Sequence, residues 1–235
     1  MNEKLLHHLL TSSESTVHFT VEKLLHKLYK KSISTKDYMI AFGTGPTLVA
    51  HMDTVLRKPP TPYWSADRTH ISSDNGLGAD DRAGIYAIIE LLLRGHRPNL
   101  IFTHGEETGG TGALALIDDY PTCPFDTPYL IELDRRGEND CVFYHRTTGG
   151  FITYITSFGF KQAEGIFSDI YYFTPAWRLS AVNLSVGYTN EHTRDEKLYP
   201  AWLESTIDKV DLILKDKPHT FVQPKLNLKT DFTFN

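Results

Sequence analysis

The chain has 235 residues, 40% of them hydrophobic and 23% charged, enough for one large α/β domain (residues 1–235) with a substantial core. A net charge of −5, with basic residues clustered only in short groups such as Lys30-Lys31, argues against nucleic acid as a partner. No segment reaches the ~18 apolar residues of a membrane span, the first fifteen residues lack a secretory signal pattern, and Cys123 and Cys141 fall in no CxxC motif, so a reducing, cytoplasmic setting is expected.

In chain order, LLHHLL and FTVEKLLHKLYK repeat apolar residues at three and four positions and predict amphipathic helices either side of TSSES. DYMIAF and PTLVAHM predict strands separated by the turn GTG, the second ending at His51. A proline-rich loop follows, then a short strand near Thr69 to Ser72, a helix over about 82–94 and the strand NLIFTH. GALALIDDY reads as a helix, TPYLIELD and CVFYH as strands, GGFITYITSFGF as a helix, SAVNLSVG as a strand and KLYPAWLESTIDKVDLILKD as a long last helix. This alternation predicts an α/β fold of three layers, a central twisted mixed sheet with helices on both faces.

Between a glycine-rich turn and the helix at 82–94, Asp80 and Asp81 stand side by side. One aspartate is enough to cap a helix; a second, buried beside it, costs several kcal/mol in repulsion and desolvation unless a cation is near, and only Arg82 is close in sequence. The pair therefore points to a metal. Further polar residues cluster where strands end: His51, Asp53, Glu106, Glu107, Asp134 and His192. Loops beyond the carboxyl ends of strands are where open α/β sheets bind ligands. Imidazole and carboxylate without thiolate suit zinc, manganese or cobalt, and five ligands exceed the needs of one tetrahedral ion. Two ions about 3.5–4 Å apart and bridged by one carboxylate would use them all.

The motifs HxD, GADDxAG, GEExGxxG, LD and NEH, in this order from about residue 45 to 200, resemble those of the co-catalytic di-zinc exopeptidases. That family includes the bacterial leucyl-type aminopeptidases, tripeptidase T, the glutamyl-type aminopeptidases and related amidohydrolases. Taken singly, His51, Asp134 or His192 reads better as a structural residue; the ordered set reverses that judgement. The resemblance implies the zinc-exopeptidase fold and two Zn2+ ions, with Mn2+ or Co2+ as substitutes. By it Asp80 bridges the ions, His51 and Asp134 complete one site, and Glu107 and His192 complete the other. Glu106 is then the general base that takes a proton from water and passes it to the leaving amine, and Asp53 orients the His51 imidazole. The resemblance also implies a cis peptide bond between Asp80 and Asp81. Larger members carry a small domain or a lid between these motifs. Here only 26 residues separate Asp53 from Asp80 and 57 separate Asp134 from His192, so a form without lid or dimerisation insertion is expected.

The stretch FSDIYYFTPAW resembles the Ser-Asp...Phe segment of the aminopeptidase branch at Ser168, Asp169 and Phe173. Ten aromatic residues lie from Phe143 to Phe173, most of them expected in the core. Tyr171, Tyr172 and Tyr188 are candidate oxyanion donors. Asp169 and Glu191 are candidates for a substrate ammonium, and Arg135, Arg136, Arg146 and Arg178 for a substrate carboxylate. The leading expectation is an aminopeptidase acting on peptides. The alternative is a carboxypeptidase, dipeptidase or N-acyl-amino-acid deacylase; an inactive binding module carries little weight because Glu106 and all five ligands are present. Nothing in the sequence sets an oligomeric state.

Overall fold

Two short helices open the chain, each started by a side chain that accepts a free N–H. In α1 (Glu3–Leu10) Asn2 accepts from Leu5, and in α2 (Glu14–Leu28) Ser13 accepts from Thr16; both carry glutamate in the first turn, where the helix dipole favours it. Leu6, Leu9 and Leu10 on one helix, and Val17, Val21 and Leu25 on the other, form their buried faces. The computed structural model describes residues 1–145, 147–165, 167–217 and 219–221.

After these come β1 (Ser32–Ser34), β2 (Tyr38–Ala41), β3 (Thr47–His51), the short β4 (Tyr63–Trp64) and β5 (Ile71–Ser72), and α3 (Ala79–Leu93). Then β6 (Asn99–Thr103), α4 (Thr111–Asp119), β7 (Leu130–Arg135), β8 (Asp140–Phe143), α5 (Gly149–Ser157) and β9 (Lys161–Gln162) follow. The chain continues through α6 (Asp169–Trp177), β10 (Ala181–Ser185), β11 (Tyr188–Thr189), β12 (Lys197–Leu198) and α7 (Pro200–Lys215).

Eight strands form the main sheet in the order β1-β2-β6-β3-β7-β10-β8-β9. The four in the middle run parallel, and β2 and β8 flank them antiparallel. Those four are buried almost throughout, which requires cover on both faces and explains their near-continuous apolar runs. One face packs on α3 and α7 through residues such as Ile88 and Ile207, with α1 laid on α3; the other packs on α4 and α6 through Leu116, Phe173 and Trp177. Gly84 lets α3 lie directly on β7, because a Cβ there would collide with the Leu133 carbonyl oxygen. This is the predicted single α/β domain of three layers. Among the described residues, no helix is long and apolar enough to cross a membrane.

Two features go beyond the sequence-based expectation. A second, four-stranded antiparallel sheet, β11-β12-β5-β4, joins the segment before α3 to the segment after β10. Its strands of two residues are too short to show periodicity. The other is α6, which holds Pro175 inside a helix. Proline leaves the carbonyl four residues earlier, that of Tyr171, without its helical donor, and His145 Nε2 lies 2.9 Å from that oxygen instead.

Candidate metal centre

The parallel strands deliver their polar ends to one place. His51 closes β3, Asp134 lies near the end of β7, Glu106 and Glu107 follow β6, and His192 follows β11. Asp80 and Asp81 sit at the head of α3 with non-helical dihedrals, so regular turns begin at Arg82. The peptide bond between them is cis.

Asp80 stands between two imidazoles: its Oδ1 is 3.0 Å from His51 Nε2 and its Oδ2 is 3.3 Å from His192 Nε2. Asp134 Oδ1 lies 3.4 Å from His51 Nε2, and Glu107 Oε1 lies 2.8 Å from His192 Nε2. The ligand atoms of Asp80, Glu107 and His192 fall within 4.8 Å of one another, as do those of His51, Glu106 and Glu107. His51, Asp81 and Asp134 also converge. Asp81, however, is buried and occupied by main chain, accepting the Gly84 N–H at 2.8 Å and the His51 N–H at 3.4 Å. The two adjacent carboxylates thus divide, one facing the imidazoles and one bracing the backbone. The buried guanidinium of Arg82 donates its hydrogen bond to the Met52 carbonyl and interacts with Asp81 through charge alone.

Supporting contacts fix these groups. Asp53 faces His51 Nδ1 at 3.3 Å and accepts the backbone N–H groups of Glu106 and Glu107 at 3.3 and 3.1 Å. Asn183 on β10 holds the Asp134 backbone by two hydrogen bonds, and the Tyr188 hydroxyl lies 3.2 Å from Asp134 Oδ1. His192 adopts a left-handed conformation, φ 63°, which is costly away from glycine and is held by the surrounding loop. Glu196, which the sequence reading passed over, is the anchor of the α3 head. Its carboxylate accepts four backbone N–H groups, from Leu77, Gly78, Ala79 and Asp80, at 2.7–3.3 Å.

Packing so many acids together moves their proton affinities. Burial, then repulsion from Asp134, pushes Glu106 up to about 8. Burial and Asp80 push Asp134 up to about 7. The bond to Asp80, against some loss of solvation, lifts His192 to about 9. Burial opposes ionisation of Asp80, but His192 and His51 outweigh it and hold that carboxyl below the usual range. A cluster of buried acids that repel one another around two imidazoles is short of positive charge. Its nitrogen and carboxylate donors, without thiolate, suit a divalent metal ion.

A cavity of about 760 Å3 opens over these groups, lined by Asp80, Glu107, Asp134 and His192 and walled by Tyr172 and Tyr188. Tyr172 donates to the Gly109 carbonyl at 3.2 Å. Three other candidates for substrate contact, Asp169, Tyr171 and Arg178, fall elsewhere. Asp169 is fully buried and accepts the Thr103 hydroxyl, with burial pushing it up to about 7, so it has no access to a substrate ammonium. Tyr171 packs against His145 outside the cavity lining, and Arg178 is exposed at the left-handed end of α6. Of the residues of α6, it is Tyr172 that lines the cavity. Arg135, Arg136 and Glu191 do line it, whereas Arg146 lies outside the described residues.

No protein-family model matches the chain, and no curated protein matches it in sequence. Solved structures do. A tripeptidase from Staphylococcus aureus superposes with a TM-score of 0.71 at 15% identity, over 90% of this chain and 96% of that one. The aminopeptidase PepT from Bacillus cereus gives 0.67 at 16%, over 91% and 96%. An aminopeptidase from the archaeon Desulfurococcus kamchatkensis gives 0.70 at 11%, over 92% and 94%. At such identities the likeness is one of fold: the chain is built like these peptidases.

Proposed function

We propose that this chain is a two-zinc aminopeptidase, a metallohydrolase that cleaves the amide bond after the N-terminal residue of a peptide. The observation that carries the reading is Asp80, whose two oxygens face two histidines at 3.0 and 3.3 Å with Glu106 close by. On this reading His51 and Asp134 would hold one ion and Glu107 and His192 the other, with Asp80 contributing to both; Mn2+ or Co2+ would suit the same donors. Bound ions supply Lewis acidity and make water a stronger acid.

The rest of the chemistry falls to side chains. Glu106 accepts the proton of the attacking water and returns it to the leaving amine. Asp53 holds the His51 ring and, through two N–H groups, the backbone of both glutamates. Tyr188 steadies Asp134. On the cavity wall Glu191 gives one oxygen to Arg136 at 2.8 Å, while its Oε2 is buried and has no partner among the described residues. That vacant acceptor suits the ammonium of a peptide N-terminus and favours an aminopeptidase over the alternative, a carboxypeptidase, dipeptidase or N-acyl-amino-acid deacylase. We read the domain as acting without a lid, in keeping with the short spacing of the motifs.

The test uses zinc-loaded protein and a Glu106→Gln variant, each incubated with a library of peptides and N-acyl amino acids and read by mass spectrometry. Progressive N-terminal trimming is expected, slowed roughly 10²–10⁴-fold in the variant while both zinc ions stay bound. A protein that holds two zinc ions and leaves free N-termini untouched overturns the reading. Loss from the C-terminus, or deacylation alone, transfers it to the alternative.

A further inference from the structure

Two adjacent arginines on the cavity wall have different surroundings. Arg136 is exposed and already paired, its Nη1 donating to Glu191 Oε1 at 2.8 Å. Arg135, the last residue of β7 and the neighbour of Asp134, is half-buried. Its Nη2 donates to the Glu164 carbonyl at 3.0 Å, which holds the guanidinium plane in place. Its Nε is buried without an acceptor, and among the described residues no carboxylate pairs with it.

A buried donor left without an acceptor is a cost that folded proteins rarely carry. A half-buried guanidinium whose hydrogen bond goes to a neutral carbonyl leaves an electrostatic demand that the carbonyl meets only in part. Of the acids that line the cavity, Asp80, Glu107 and Asp134 face the imidazoles and Glu191 faces Arg136. A carboxylate carried by a ligand would meet that demand with both charge and acceptor oxygens.

We infer that Arg135 binds a carboxylate of the substrate. The inference rests on the amide-hydrolase reading and deepens it by naming a substrate class. A carboxylate at this position comes from the free C-terminus of a short peptide or from an acidic side chain. The cavity, at about 760 Å3, has room for a small peptide ligand.

The experiment measures binding as well as turnover. Isothermal titration calorimetry on the zinc-loaded Glu106→Gln protein compares leucyl-glycine with leucyl-glycine amide, and glutamyl-glycine amide with glutaminyl-glycine amide. The same pairs are run with Arg135→Met and Arg135→Lys added to that background, with zinc content and circular dichroism as checks of folding. The carboxylate member of at least one pair is expected to bind about ten- to a hundredfold more tightly. Arg135→Met should erase the difference and Arg135→Lys restore part of it. A difference in the first pair assigns the site to a free C-terminus, and one in the second assigns it to an acidic side chain; both support the inference. In turnover by otherwise unmutated protein, Arg135→Met should raise KM for the preferred carboxylate substrate and change kcat little. Equal binding within both pairs, or a difference that survives Arg135→Met, overturns the inference. Absence of all hydrolysis defeats the hydrolase reading alone, since the calorimetry still decides whether Arg135 selects a carboxylate.

Discussion

Asp53 bears on three groups of the centre at once: the His51 ring and the backbones of Glu106 and Glu107. Carboxylates that orient a metal-bound imidazole typically contribute 10–100-fold to metal affinity. Asp53→Asn keeps the shape but turns an amide group toward one of those donors, so zinc affinity is expected to fall by about that factor, measured by competition with a chromogenic chelator. Unchanged affinity would mean that the backbone alone sets the ring. At this scale the polar residues of the motifs were legible, because imidazoles and carboxylates at the ends of successive parallel strands must share one edge of the sheet. Asp169 was not: a first-turn aspartate reads alike whether it faces solvent or, as here, lies buried against Thr103.

The small sheet is the element that the sequence hid and the centre depends on. By pairing β12 with β5 it carries Glu196 beneath the loop that ends in Asp80, where the glutamate takes up four N–H groups. Glu196→Gln replaces one acceptor oxygen by a donor, and each N–H left facing it costs about 1–3 kcal/mol. The variant should unfold at lower temperature and bind zinc more weakly, with Asp80 no longer held in place, as read by thermal unfolding with and without zinc. A variant equal to the parent in both would show that the cis turn holds itself. Glutamate in NEHTRDE carries no signal of this role, since its partners lie 116–119 residues away. The helix α6 was hidden for a related reason. Pro175 argues locally against a helix, and only the distant His145 supplies a donor for the Tyr171 carbonyl.

For the whole molecule, the acid cluster couples folding, protons and metal. Without metal, Glu106 near 8, Asp134 near 7 and His192 near 9 all lie above their unfolded values. A group whose folded pKa is raised contributes stability that is complete below its unfolded pKa and is lost as pH rises through the folded one. The chelated protein should therefore lose thermal stability between about pH 6 and 9, the upper part of the window those values define. Zinc bound there would displace the same protons, so its stabilising effect should grow over that window. Thermal unfolding with chelator and with zinc across this range checks both, and a chelated protein that gains stability toward pH 9 would contradict the account. The sequence by itself determined the layered α/β architecture, because burial on both faces demands continuous apolar strands and covering helices, and it determined the polar set at the strand ends. The tertiary structure decided which of two adjacent aspartates faces the imidazoles, that Glu196 anchors their loop, and that Arg135 keeps an unmet donor on the cavity wall. Those outcomes depend on contacts between residues far apart in the chain, and on which atoms lose water, and neither has a local signature.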